Sequence, residues 1–356
     1  MVVIFQENVS FDHYFGTYPH ATNQDGQPFH GAGGAKINGL YNTPGLNGHG
    51  TLLTNNPNTD SMGNQVNPRR LDPANLNDVL LCDQDHDYND EQKAFDGGKM
   101  DKFPTTVSNA SGTNANGQAC KASDVMNYYD GNTVTGMWNY AKNFGMSDNF
   151  FGTTFGPSAE GAINLVSGNT GNVGIQINGA ATDGDTVADG HGGFSLIEDA
   201  QPYYDDCSTR DAVSLTGTNI GNELNAKGLS WGWFQGGFAP TTTFAAAAAA
   251  VNPGQSTATF TPDEFSGSFS GKSVPPHASN QALCDAVHPV GPAVGGDGQY
   301  GYKDDYIAHH EPFNYYASTA NPHHLAPTSL AAIGTDTQSF VGGAPQFNTA
   351  NHNYDM

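Results

Sequence analysis

Positive charge is what this sequence has least of. Lys and Arg together number 12 against 35 Asp and Glu, for a formal net charge of −23. Nucleic acid is held by basic surfaces and repelled by acidic ones, so no nucleic-acid partner is expected. Long apolar runs are missing as well. No stretch approaches the roughly 18 apolar residues of a membrane helix, so no transmembrane segment is expected. No signal peptide is read at the start, where Met1 runs straight into Val2-Val3-Ile4-Phe5. Cysteine occurs four times, as Cys82, Cys120, Cys207 and Cys284, and never as a C-x-x-C pair. That spacing argues against a structural zinc site and for two disulfides. Three pairings are open, the local one joins Cys82 to Cys120 and Cys207 to Cys284, and four free buried thiols are the alternative. There is no clear internal repeat, and nothing sets an oligomeric state.

What is present suits a folded chain. A length of 356 residues accommodates one large α/β domain or two ordinary ones. The hydrophobic set is 37%, and the 45 glycines bring the apolar share to about half, which is ordinary for a globular protein. Charged residues total only 13%, so the acidity reads as solubility in an extracellular or acidic medium and not as salt adaptation. An anionic substrate approaching such a chain needs local positive charge, which a bound divalent cation supplies.

Val2-Val3-Ile4-Phe5 is predicted to be a buried parallel strand, with Gln6-Glu7-Asn8 at its C-terminal end, where open α/β sheets bind ligands. Residues 20 to 75 read as a loop-rich surface excursion, and residues 241 to 273, with the alanine run Ala245 to Ala250, as an insertion or flap. Apolar residues recur at helical spacing from about Ser123 to Asn143. A short helix is predicted after Ser158, closed by Gly168, and another over Asn219 to Lys227 before a buried strand at Leu229 to Phe234.

Glu7 and Asn8 are adjacent oxygen ligands of the hard type that Mg²⁺, Ca²⁺ or Zn²⁺ accept, although such a pair also serves as turn-formers or helix caps. Asp12 and His13 read as local capping and supporting residues. Ser158 follows Gly156-Pro157 at a loop-to-helix junction, where backbone N–H groups stabilise a transferring phosphoryl group; the plainer reading is a helix N-cap. Histidines number 13. His86 and the pair His309-His310 are candidates for donating to phosphate or ligating metal, while His323-His324 and His352 lean structural.

The stretch from Gln6 to Thr17 resembles the opening motif of the bacterial phosphoesterase family that includes secreted phospholipases C and acid phosphatases, within the alkaline-phosphatase-like superfamily. Further matches follow in order: His86-Asp87-Tyr88, Asp96-Gly97-Gly98-Lys99-Met100-Asp101, Phe155-Gly156-Pro157-Ser158 with Asn164-Leu165, and His309-His310-Glu311-Pro312-Phe313. The resemblance implies a single catalytic domain over residues 1 to 356, a three-layer α/β/α sandwich with a mostly parallel central sheet, incomplete at its C-terminus. It implies metal ligation by Glu7 and Asn8, a nucleophile at Ser158 that also touches the metal, and His86, His309 and His310 near the phosphate. The consecutive Asp pair that completes the family's metal site, in an Asp-Asp-Ser-Asp-Gly context, is not in the chain; Asp205-Asp206 and Asp304-Asp305 have other surroundings. The chain is therefore expected to be an N-terminal fragment with impaired activity. The expected function is metal-dependent hydrolysis of phosphate esters, phospholipid head groups or phosphomonoesters, by a secreted or periplasmic enzyme with Ca, Zn or Mg as cofactor. A secreted non-catalytic protein that binds calcium or carbohydrate is the alternative.

Overall fold

A computed structural model describes residues 1–21, 37–75, 78, 81–114, 118–177, 179–180, 184–208, 210–239, 284, 287–292, 300–304 and 306–356. The chain is mixed α/β, with short helices and several small sheets. It divides into two compact units: Met1–Phe155 with Gly291–Gly298, and Gly156–Val290 with Gln299–Met356. The predicted insertion at 241 to 273 lies outside the described residues.

In the first unit Val2, Val3, Ile4 and Phe5 are exposed and belong to no strand. An apolar β-branched run becomes a strand only where a neighbouring edge supplies hydrogen bonds, and among the described residues none pairs with it. The helical spacing of Ser123 to Asn143 is likewise interrupted. It gives a 3₁₀ turn at Ala122–Met126, the strand Asn127–Tyr128 and a helix only at Thr135–Asn143. The break is electrostatic and steric. Asp130 receives Arg70 Nε at 2.8 Å and Nη2 at 3.2 Å, and also the Asn132 N–H at 3.1 Å. At Gly131 a Cβ would lie 2.2 Å from the Trp138 ring. Arg69–Arg70 then runs parallel to Asn127–Tyr128. Trp138, fully buried, donates Nε1–H to the Tyr14 carbonyl at 2.6 Å and packs with Tyr18 and Ile37. Of the loop-rich region, residues 37–75 carry only a 3₁₀ turn at Leu46–Gly48 and the strand Arg69–Arg70. Side-chain amides hold the rest: Asn58 donates to the Met100 carbonyl at 2.8 Å and accepts the Phe103 N–H at 2.9 Å.

In the second unit the helix Ser158–Ser167 ends, as predicted, at Gly168, whose φ of 72° is the left-handed cap that glycine adopts without strain. Its Ala159 and Ile163 are fully buried against Leu196, Val213, Leu215, Tyr315 and Tyr316. Val173–Ile177 pairs antiparallel with Ala212–Leu215, which pairs parallel with Gln201–Pro202. The helix Ile220–Ala226 is capped by Asn219, whose side chain accepts the Asn222 N–H. The buried strand predicted at Leu229 to Phe234 is instead a short one at Trp233–Gln235, parallel to Asn353–Asp355, with Leu229 and Phe234 exposed.

Below this lies a buried polar knot. Asp205, fully buried, accepts the Cys207 N–H at 2.8 Å, Asn314 Nδ2 at 2.7 Å, the Tyr306 hydroxyl and His324 Nε2 at 3.0 Å. Burial alone would raise its pKa, but the charge and hydrogen bond of His324, with the bonds from Tyr306 and Asn314, bring it below the usual carboxylate value. His323 pairs with Asp206 at 2.9 Å. His352 places Nδ1 2.7 Å from the Trp231 carbonyl and stacks on the Trp231 ring. The structural reading of these three histidines is the one observed.

Both disulfides follow the local pairing, with Cα separations of 5.8 Å for Cys82–Cys120 and 5.3 Å for Cys207–Cys284. Closing loops of 38 and 77 residues, each stabilises by about 4 kcal/mol in the chain-entropy picture. Peptide mapping of the unreduced protein should recover these two linkages and no crossed pair, and reduction should lower the melting temperature. Asp205→Ala should destabilise by about 3 to 5 kcal/mol in urea titration at pH 7, because it strands His324 and Asn314 without their acceptor. Since the folded-state pKa of Asp205 is depressed, its contribution is present above the unfolded value of about 3.9 and is lost only as pH falls through the folded one.

Candidate active site

The sequence-predicted residues are divided between the units. Glu7, Asn8 and His86 lie in the first; Ser158, His309 and His310 lie in the second.

In the first unit, Glu7 and Asn8 are exposed and joined by a cis peptide bond. Asn8 Nδ2 stands 3.3 Å from His86 Nε2, so two of the three residues meet although 78 positions separate them. The same Nε2 lies 3.6 Å from Asp83 Oδ1. One ring nitrogen thus faces a donor and a carboxylate, and its proton decides the contact: the bare nitrogen accepts from Asn8, and the protonated ring forms an ion pair with Asp83. Asp83 raises the His86 pKa most, and the nearby charges of Glu91 and Glu7 add to it against the opposing effect of burial. Around it, Asp85, Asp87 and Asp90 bring carboxylate oxygens within 4.8 Å of one another, a group able to hold a cation. Asp87 stands at the N-cap position of the helix Tyr88–Phe95 without a side-chain cap bond, and its N–H bonds Asp85 at 2.8 Å. His13 is buried with Nδ1 2.7 Å from the Asn127 carbonyl.

In the second unit, the extended backbone of Pro157 makes it the residue before the helix, and Ser158 is the first helical residue. The N-cap reading of Ser158 is therefore replaced, since Pro157 occupies that position. Ser158 stands half-buried at the N-terminal end of a 10-residue helix, where the helix dipole favours negative charge. The next N–H, of Ala159, donates to Asp199 Oδ1 at 2.9 Å. The other Asp199 oxygen lies 3.7 Å from Nε2 of His309, which is buried in the 3₁₀ turn Ala308–His310. Arg210 Nη2 stands 3.4 Å from His309 Nδ1, and the rings of His309 and His310 meet edge to face at 4.5 Å. Asp199 and Arg210 were not singled out from the sequence. Neither sits in a motif, and only the pairing of Gln201–Pro202 with Ala212–Leu215 brings their segments together.

A second group with metal-ligand geometry, Asp205, Cys207 and His324, is not a metal centre. The Cys207 sulfur is bonded to Cys284, and His324 directs its two nitrogens at Asp205 and at the Phe238 carbonyl. Glu311, in the motif after the histidine pair, is fully buried and its pKa is raised well above normal, first by burial and then by the charge of Asp205.

The model of the Phosphoesterase family matches residues 1–340. No curated protein matches the chain.

The His86 arrangement has a measurable consequence. In an NMR titration His86 should turn over above the ordinary histidine value of about 6.5, and Asp83→Asn should bring it down. The sign follows from linkage: with the folded pKa raised, the pair's stabilisation is complete below about pH 6.5 and fades as pH rises through the folded value. A midpoint unmoved by Asp83→Asn would show that Asp83 does not hold the ring.

Proposed function

The chain belongs to the Phosphoesterase family, and we propose that it is a serine-dependent hydrolase of phosphate esters. Family membership carries the reaction class, hydrolysis of phosphoric esters. The finer assignment is our reading: a single exported catalytic domain of the α/β/α sandwich type, of the phospholipase C or acid phosphatase kind, acting on phospholipid head groups or phosphomonoesters.

The observation that carries the nucleophile is the placement of Ser158. It opens a helix of 10 residues whose N-cap position Pro157 already fills. In the proposed reaction the Ser158 oxygen attacks phosphorus and the phosphorus–oxygen bond to the alcohol breaks. The alcohol leaves with a proton, and water then cleaves the phosphoserine. The dipole of the helix that Ser158 opens would favour the charge that develops on the phosphoryl oxygens, which is where fixed dipoles accelerate most. His309 and His310 in this unit are the imidazoles assigned to phosphate binding and proton donation.

The residues present suit a hard divalent cation in part. Glu7 offers a carboxylate, and Asn8, whose amide nitrogen is the atom near His86, offers its amide oxygen. When bound, such an ion lowers the pKa of a coordinated hydroxyl and offsets phosphate charge. Glu7 and Asn8 would hold it. Two disulfides suit an oxidising compartment. Among the described residues no helix is long and apolar enough to cross a membrane.

Ser158→Ala should abolish turnover of a chromogenic phosphate ester, by about a thousandfold or more, because no other group forms the covalent intermediate. Its fold should survive, since one first-turn hydroxyl is worth no more than about 2 kcal/mol. Glu7→Ala should lower both metal content, read by plasma mass spectrometry, and rate, with excess metal partly restoring the rate. Full activity in the Ser158→Ala protein would overturn the nucleophile assignment.

A further inference from the structure

Asp199 is one carboxylate that touches both parts of the second-unit site. Its Oδ1 accepts the Ala159 N–H, one residue beyond Ser158, at 2.9 Å, and its Oδ2 lies 3.7 Å from His309 Nε2. The backbone that follows the carboxylate is firmly held. The next residue, Ala200, is fully buried, and its carbonyl accepts the Tyr315 hydroxyl at 2.6 Å. The Gln201 N–H then bonds the Asp211 carbonyl at 2.9 Å. A side chain on so constrained a segment has few ways to move without moving its partners.

Arg210 resolves the ring's orientation. A guanidinium has N–H groups and no acceptor, so at 3.4 Å from His309 Nδ1 it can only donate, and Nδ1 accepts. The ring proton therefore sits on Nε2, the nitrogen that faces Asp199. At 3.7 Å that contact is longer than a hydrogen bond, so it acts on the ring by charge. Asp211, 3.7 Å from Arg210 Nη1, keeps the guanidinium in place from the other side.

We propose that Asp199 is a positioning residue of this site, fixing the first turn of the Ser158 helix with one oxygen and the imidazole of His309 with the other, while Arg210 sets the tautomer of that imidazole. This rests on reading Ser158 as the nucleophile and His309 as a phosphate-facing donor. Asp199 touches neither substrate nor phosphorus. It holds the serine's backbone and the imidazole in one frame, so that attack and proton donation start from a fixed geometry.

Two substitutions separate the roles of its oxygens. Asp199→Asn keeps an oxygen for the Ala159 N–H and removes the charge facing His309, whereas Asp199→Ala removes both. With 4-nitrophenyl phosphate as probe, Asp199→Asn should lower kcat about tenfold with KM changed less than about twofold, and Asp199→Ala should lower kcat about a hundredfold, the range typical of groups that orient a reacting residue. A readout independent of turnover accompanies this. In ¹⁵N-resolved NMR the parent His309 should carry its proton on Nε2, and its titration midpoint should fall in Asp199→Asn, because a neighbouring carboxylate favours the charged ring. The inference is overturned if Asp199→Asn matches the parent in both kcat and the His309 midpoint while Ser158→Ala is inactive. It is overturned too if His309 carries its proton on Nδ1. Activity in Ser158→Ala would instead remove the reading on which it stands, whatever Asp199 does.

Discussion

A carboxylate with no access to water must find donors inside the protein or become neutral, and the second unit is arranged around one that finds four. Asp205 collects the Cys207 amide, the Asn314 side chain, the Tyr306 hydroxyl and the His324 ring, contributed by segments up to 119 residues apart in sequence. Three of these donor residues are committed elsewhere as well. Cys207 is bonded to Cys284, and His324 also faces the Phe238 carbonyl at 2.6 Å with its ring stacked on Phe238. The carbonyl side of Asn314 receives the Asn321 N–H at 2.8 Å. A buried charge satisfied this way specifies one arrangement, because any slip leaves an uncompensated ion in low dielectric. The short strands and 3₁₀ turns of this unit have little regular ladder to hold them, so side-chain bonds of this kind carry the arrangement.

The neighbouring site inherits that rigidity. Asn314 lies in the 3₁₀ turn Pro312–Tyr315, which follows directly on the turn carrying His309 and His310. Tyr315, on the same turn, reaches the Ala200 carbonyl beside Asp199. Burial raises the pKa of Tyr315 well above normal, so its hydroxyl keeps the proton it donates. From Asp205 through Asn314 and Tyr315 to Ala200 and Asp199, the path runs entirely through buried hydrogen bonds and adjacent residues. The histidine pair is thus set by the buried knot on one side and by Asp199 and Arg210 on the other.

How much of this was legible in the sequence depended on whether the cause was local. The Ser158 helix could be read because its signals lie within it: apolar spacing at Ala159, Ile163 and Val166, and glycine at 168. The helix start at Asn219 has the same character, whereas the disulfide pairing, across 38 and 77 residues, was one of three left open by the sequence. The helix expected from Ser123 onward failed because its breaker is a partner 60 residues away: Arg70 holds Asp130, and Trp138 needs the space a side chain at Gly131 would fill. Val2–Phe5 shows the converse, since apolar content alone does not place a strand without an edge to pair with. Motif residues were found by pattern, but Asp199 and Arg210 were not. Their roles arise from the registry of Gln201 against Ala212 and from a turn a hundred residues further on.

Electrostatics gives these two residues their particular weight. A chain with 35 acidic and 12 basic side chains repels a phosphate ester at long range, so attraction has to be local. Beside Ser158 the helix N-terminus supplies partial positive charge, and Arg210 supplies a whole one, next to His309. Asp199 works against this, yet it is placed where its charge is already answered, by the Ala159 amide on one oxygen and the imidazole on the other. A carboxylate so matched adds order without adding much repulsion. In an anionic protein that must hold an anion, it can be tolerated beside the helix N-terminus because its negative charge is spent on the groups it orients.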